Sequence, residues 1–188
     1  FLGFLRKIRW FFRKNYAPTP FYFRGVESLL KSNTIKSWAN KNKRKVTILI
    51  PSYNDFDLIK DCVESLKKTV PSEELDVLIV DDSANPSHAQ KLSLLAAPNI
   101  KIYTREANGG FAKCVNSGME QITDGDIILL NSDTVAHEGW FEALRYGAYK
   151  FDGGAGVVGP KLLYPDGRIQ SAGTYRNLAE PQWFDHLY

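Results

Sequence analysis

Four polar clusters in this 188-residue chain, each following an apolar run, carry the groups able to do chemistry. Tyr53-Asn54-Asp55 follows the first run, Asp81-Asp82 the second, Asn108-Gly109-Gly110 the third and Asn131-Ser132-Asp133 the fourth. Asp81 or Asp82 could accept hydrogen bonds from a base N–H or from ribose hydroxyls, the usual work of an acid placed after a strand in nucleotide-binding folds. The other reading of either is a helix cap or a turn. Gly109 and Gly110 let the backbone approach a ligand closely. A helix starting near Phe111 would offer free N–H groups to a pyrophosphate, with Lys113 one turn in. The spacing is neither a P-loop nor the dinucleotide fingerprint. Asp133 could ligate Mg²⁺ or Mn²⁺, hard cations that favour carboxylate oxygen and are commonly shared with phosphates. Its alternative is an N-cap for the helix that follows.

The surrounding pattern must position these groups. Residues 46–50 read as a buried-type strand. Leu58, Ile59, Cys62, Val63 and Leu66 recur at helical spacing after it, with Asn54 or Asp55 available as the cap. Strands are expected at 75–80, 100–103, 125–130 and 155–158, and helices at 87–96, 111–122 and 140–150. The run before Asn131 is almost wholly apolar, as in a strand covered on both faces. Strands alternating with helices imply parallel pairing, right-handed crossovers and an α/β sheet flanked by helices. In such a sheet the clusters share the edge at the strands' carboxyl ends, where ligands bind.

Composition bounds the reading. With 44% hydrophobic and 24% charged residues, the chain is globular and long enough for one domain with a real core. Residues 1–45 hold twelve Lys or Arg against Glu27 alone, a balance of +11, while residues 46–188 hold twelve against twenty, a balance of −8. The first part reads as a basic, partly helical extension or linker and the second as the domain proper. Phe1, Phe4, Leu5, Ile8 and Phe12 share one helical face, a basic aromatic helix suited either to an anionic membrane interface or to docking on another domain. Val26, Leu29, Leu30, Ile35 and Trp38 suggest a second helix over 26–39, and residues 41–45 a solvated linker. No run approaches the roughly twenty apolar residues of a membrane-spanning helix. Localisation is therefore expected to be cytoplasmic, with peripheral contact at the inner face of the membrane through residues 1–14. No nucleic-acid module accompanies the basic segment, so a nucleic-acid partner is not expected. Cys62 and Cys114 lack the clustered spacing of a zinc site and read as buried, reduced thiols. Phe1 in place of an initiator Met reads as a processed chain or a piece of a longer one.

Together these residues resemble the inverting nucleotide-sugar glycosyltransferases of family 2, which have the GT-A type fold with a Rossmann-like nucleotide-binding half. The resemblance runs from about residue 46 to about residue 174. It rests on Ile48-Leu49-Ile50-Pro51-Ser52-Tyr53-Asn54, Val77-Leu78-Ile79-Val80-Asp81-Asp82-Ser83, Asn108-Gly109-Gly110-Phe111 with Asn116 and Gly118, and the stretch from Asp126 to Asp133. Val158-Gly159-Pro160-Lys161-Leu162-Leu163-Tyr164-Pro165-Asp166-Gly167 and the residues up to Gly173 resemble the bacterial rhamnosyltransferase-like branch, and read as a hairpin turning at Pro165-Asp166-Gly167.

The resemblance implies transfer of a sugar from a UDP- or dTDP-linked donor to a hydroxyl of a cell-surface or lipid-linked glycan acceptor, with inversion and a Mg²⁺ or Mn²⁺ ion. It implies that Asn54 and Asp82 hold the nucleoside with help from Asp81, and that Asp133 is the final acid of the Asp-x-Asp metal motif. Pro51, Tyr53, Asn108, Gly109, Gly110, Lys113, Asn131 and Ser132 complete the implied donor set. Asn131 stands where that motif has its first acid, so the ion should be held less tightly. The catalytic base is expected beyond Tyr188, since Asp185 comes too early for the family's acidic motif. Other classes fit less well. A phosphoacceptor receiver module lacks an equivalent of the hairpin, and a nucleotidyltransferase would open with a Gly-rich basic loop where Pro51-Ser52-Tyr53-Asn54 stands. A non-catalytic donor-binding or scaffold protein remains the alternative function.

Overall fold

In the computed structural model, residues 33–150, 155–176 and 184–186 are described. The expected helix over residues 1–14 and the positions Val26, Leu29 and Leu30 lie outside them. Four strands, β1 (Val46–Ser52), β2 (Val77–Asp81), β3 (Ile100–Thr104) and β4 (Asp126–Leu129), form a wholly parallel sheet in the order β3-β2-β1-β4. Between them run α2 (Phe56–Thr69), α3 (Pro86–Ser93) and α4 (Gly110–Met119), followed by α5 (Trp140–Lys150) and preceded by α1 (Asn33–Lys41). The expected fold class, an open parallel α/β sheet flanked by helices, is the one observed.

β1 and β2 are central because both their faces are apolar. Alternation sends Ile48, Ile50, Val77 and Ile79 to one side, against Ile59, Cys62, Val63 and Leu66 of α2 and Phe141 of α5. It sends Leu49, Leu78 and Val80 to the other, against Cys114 and Val115 of α4. Pro51 is tolerated inside a central strand for a positional reason. The Leu49 carbonyl accepts from Leu130 N on the β4 side, and the Ser52 carbonyl accepts from Asp82 N on the β2 side. Backbone polarity alternates along a strand, so Pro51 faces the β4 side, where pairing has already ended at Leu49. Its missing N–H costs no ladder bond.

α1 is docked rather than free. Trp38 meets Tyr146 of α5 edge to face at 5.5 Å. The buried Arg145 guanidinium donates to Glu74 at 2.6 Å and to the Asn42 carbonyl at 2.5 Å. Residues 41–45 are solvated as expected, although Lys43 pairs with Glu73 and Arg44 lies 3.8 Å over the Tyr149 ring.

Two expectations are corrected. β4 is not covered on both faces: it is the outer strand, and Ile127 (37% exposed) and Leu129 (43%) face away from the core that receives Ile128 and Leu130. No strand forms over residues 155–158, where the chain runs irregularly with Val157 92% exposed. Gly153, Gly154, Gly156 and Gly159 crowd that stretch, and glycine weakens strands by its entropy and its lack of a side chain to pack. The hairpin does form. β5 (Leu162–Leu163) pairs antiparallel with β6 (Ile169–Ser171), closed by Gly167 N donating to the Tyr164 carbonyl at 2.9 Å with Gly167 at φ 84. β7 (Thr174–Arg176) pairs antiparallel with β8 (Phe184–His186).

Gly118 reports on how closely α4 sits against the sheet. A Cβ there would lie 2.3 Å from Leu49 Cδ1 and 2.7 Å from Val80 Cγ2. Helix propensity favours Ala over Gly by about 1 kcal/mol, whereas overpacking costs roughly 1–3 kcal/mol. Packing wins, so Gly118→Ala is expected to lower unfolding stability by about 1 kcal/mol in urea titrations.

Candidate functional site

The carboxyl ends of β1, β2 and β4 open on a cleft of about 560 Å³. Residues from all four clusters line it, Tyr53 and Asp55, Asp82, Asn108 and Gly110, and Asn131 to Asp133, with Pro51 adjoining the first. Asn54, Asp81, Gly109 and Lys113 stand behind or beside it rather than on its wall. The first turn after β1 is sharp because Asn54 takes a left-handed conformation, φ 54, which Asn tolerates better than most residues. Its Oδ1 accepts from Asn85 Nδ2 at 2.9 Å, and Asn85 in turn caps α3 by accepting from Ser87 N. That leaves the Tyr53 ring 58% exposed at the cleft.

The two adjacent acids after β2 have different surroundings. Asp81 is wholly buried; its Oδ1 accepts from Ser83 N at 2.9 Å and its Oδ2 has no hydrogen-bond partner. Asp82 lines the cleft with both oxygens engaged. They accept from Gly109 N at 3.1 Å, Gly110 N at 2.8 Å, Asn108 Nδ2 at 3.3 Å and the Arg105 guanidinium. The first N–H groups of α4, which the sequence offers to a pyrophosphate, are therefore directed at Asp82. A carboxylate is favoured there by the helix N-terminus as well as by the hydrogen bonds. Gly109 is required for the close approach, since a Cβ would meet Arg105 Nη1 at 2.6 Å.

Asp133 is not the cap of the next helix, which begins only at Trp140. It is exposed at the cleft, and no hydrogen bond or ion pair among the described residues engages it. Asn131 stands two residues away on the same wall. Among the described residues no group of three or more His, Cys, Asp or Glu comes together, so this donor set fits a hard divalent cation at Asp133 only with further oxygens from water or a bound phosphate. Beneath it, burial and then the nearby Asp133 charge push the Cys62 thiol up to about 12. Cys62 and Cys114 are both free and buried, as expected.

The sequence singled out neither Arg105 nor His88, gave Leu58 only as a helical position and Phe111 only as part of the glycine motif, and offered Asp55 both as a member of the first cluster and as a cap. Asp55 does occupy the N-cap position of α2, but its side chain makes no cap hydrogen bond. A single Arg after a strand, or a single His in a helix, has no spacing partner to mark it.

An open parallel sheet with polar strand ends around one cleft is the architecture in which α/β proteins bind nucleotides. The chain belongs to glycosyl transferase family 2: the family model matches residues 47–181. Among curated relatives, it is 32% identical over 88 residues to poly(ribitol-phosphate) β-glucosyltransferase of Bacillus spizizenii, covering 45% of this chain and 14% of that protein. It is 28% identical over 129 residues to glycosyltransferase AglE of Haloferax volcanii, covering 65% of this chain and 41% of that protein. The chain thus spans less than half the length of both. The solved structure of S. aureus TarS in complex with UDP is 25% identical, with a TM-score of 0.45 over 54% of this chain and 31% of that one.

Two outcomes follow from this geometry. Asp82→Asn removes the charge from a buried, multiply bonded acceptor and is expected to cost about 3 kcal/mol. In native-state hydrogen exchange, the Gly109 and Gly110 amides should lose protection more than the amides of β1 do. For Cys62, the folded thiol stays neutral up to about 12 while an unfolded thiol ionises near 9.0. The stabilisation is complete below pH 9 and is lost as pH rises toward 12. Cys62→Ala should flatten that part of the stability-versus-pH curve.

Proposed function

We propose that this protein is an inverting glycosyltransferase that moves a sugar from a UDP- or dTDP-linked donor to a hydroxyl of a cell-surface or lipid-linked glycan. The observation that carries the proposal is the meeting of all four polar clusters on one cleft, in a chain of this family. The acceptor class is also supported by the name of the Bacillus relative, which specifies a poly(ribitol-phosphate) glucosyltransferase. The hairpin of β5 and β6 supports a place in the rhamnosyltransferase-like branch.

Each residue has a task in this reading. The exposed Tyr53 ring offers its face to the base, with Pro51 as the adjoining wall. Asp82 on the cleft wall is the acid at the nucleoside end, where an acid favours N–H and hydroxyl groups, with Asn54 beside it and the buried Asp81 assisting from behind. Asp82 fixes Asn108, Gly109 and Gly110 around the nucleotide, and Lys113 lies one turn into α4 as a countercharge for phosphate. Asp133, with the amide oxygen of Asn131 and the adjoining Ser132, would hold Mg²⁺ or Mn²⁺, which supplies charge neutralisation at the leaving nucleoside diphosphate. A general base takes the acceptor hydroxyl's proton during inversion, and no described residue is assigned that role.

Calorimetry of the full-length protein with UDP and dTDP, with Mn²⁺ and with chelator, tests the proposal. Metal-dependent binding of at least one is expected, and binding of neither would overturn it. Asp133→Ala should abolish the metal dependence while the melting temperature stays within a few degrees; an unchanged metal response would remove Asp133 from the site. We also infer peripheral contact with an anionic membrane face through residues 1–14. Sedimentation with anionic vesicles should fall on deleting those residues, and undiminished binding would contradict it.

A further inference from the structure

Behind the cleft, β1, β2 and α3 enclose an imidazole that none of these roles uses. His88 is buried in α3, and its Nε2 lies 2.8 Å from Ser52 Oγ. The direction of that bond follows from proton counting. Ser52 has one hydroxyl proton, and Asp55 Oδ1, 2.7 Å away, belongs to a carboxylate that only accepts when ionised. Ser52 therefore donates to Asp55 and accepts from His88, so Nε2 carries a proton. Asp55 and Asp81 each lie near the ring, at 3.8 and 3.9 Å from Nε2. Those distances are too long for hydrogen bonds. The ring is fixed by Ser52, with two carboxylates alongside it.

The relay ends on a residue of the cleft wall. Asp55 Oδ1 accepts from Ser52 and also from Tyr53 N at 3.0 Å. Its Oδ2 has no hydrogen-bond partner among the described residues. Asp55 sits at the N-cap of α2, where turning its side chain to the helix would bring about 0.5–2 kcal/mol. It makes no such bond. Two donors on Oδ1 hold the carboxylate away from the helix, leaving one acceptor oxygen available beside Tyr53.

We propose that Asp55 accepts a hydrogen bond from the nucleoside of the donor, from a base N–H or a ribose hydroxyl, and that His88 is the positioning residue that sets it through Ser52. The proposal rests on the reading of the cleft as a nucleotide-sugar site. A hydrogen bond to a charged group that is lost or misaligned corresponds to roughly a tenfold change in affinity.

The test is UDP and dTDP affinity by calorimetry on the full-length protein with Mn²⁺. Asp55→Ala, Ser52→Ala and His88→Leu should each weaken binding about tenfold. His88→Gln should restore it to within about twofold, because a glutamine amide N–H reaches the Ser52 hydroxyl as Nε2 does. In the Asp55→Ala background, His88→Leu should have no further effect, since its route to the ligand is already cut. Equal losses from His88→Leu in both backgrounds, or no rescue by Gln, would show a merely structural histidine and overturn the proposal. Should His88→Leu fail to fold, Ser52→Ala decides, because it cuts the same relay without emptying the ring's place. Unmodified protein that binds neither nucleotide would instead overturn the reading of the cleft, and this proposal with it.

Discussion

The cleft depends on how one buried carboxylate is satisfied. Taking a carboxylate out of water costs several kcal/mol unless donors replace the lost hydration. Asp82 meets that requirement with Arg105 from the end of β3, Asn108 and Gly109 from the following loop, and Gly110 from the start of α4. One side chain thereby ties β2, β3 and α4 together at the edge where the cleft opens. Arg105 is also held from the other side by Ser117 of α4 at 3.0 Å. The glycine loop is thus shaped by an acid of the protein itself, with its amides turned toward Asp82.

The parallel register does the rest. β1 pairs with β2 and β4, so three strand ends emerge side by side and deliver Tyr53, Asp82 and Asn131 to the same cleft. Each strand then turns by a different device. Asn54 adopts a left-handed conformation after β1, Asn85 caps α3 after β2, and the chain after β4 runs irregularly to Trp140. That last stretch gives Asp133 its freedom. Because Asp133 neither caps a helix nor pairs with another described residue, its carboxylate stays open at the cleft.

Much of this was legible in the residues. β1 and β2 are continuous apolar runs ended by polar clusters, and such runs have few alternatives in a globular chain. Their order with the intervening helices implies the sheet, and the sheet implies that the clusters meet. Illegible features were those set by tertiary partners. The run 126–130 is as apolar as β1, yet its outer position in the sheet exposes Ile127 and Leu129. Residues 155–158 carry two valines but too many glycines to hold a strand. Asp55 has the type and position of a helix cap, and only the proximity of Ser52 and His88, brought in by β1 and α3, turns it toward the cleft. Arg105 and His88 are single residues without a periodic or spaced partner, so nothing in the chain singled them out.

The central claim is that four separate clusters form one nucleotide-binding surface. Titrating UDP and Mg²⁺ into the ¹⁵N-labelled protein and following its amide resonances tests this most directly. The expected result is saturable, simultaneous shifts at residues 52–55, 82–83, 108–110 and 131–133 with a single affinity. Shifts confined to one cluster, or centred on the β5–β6 hairpin instead, would contradict it.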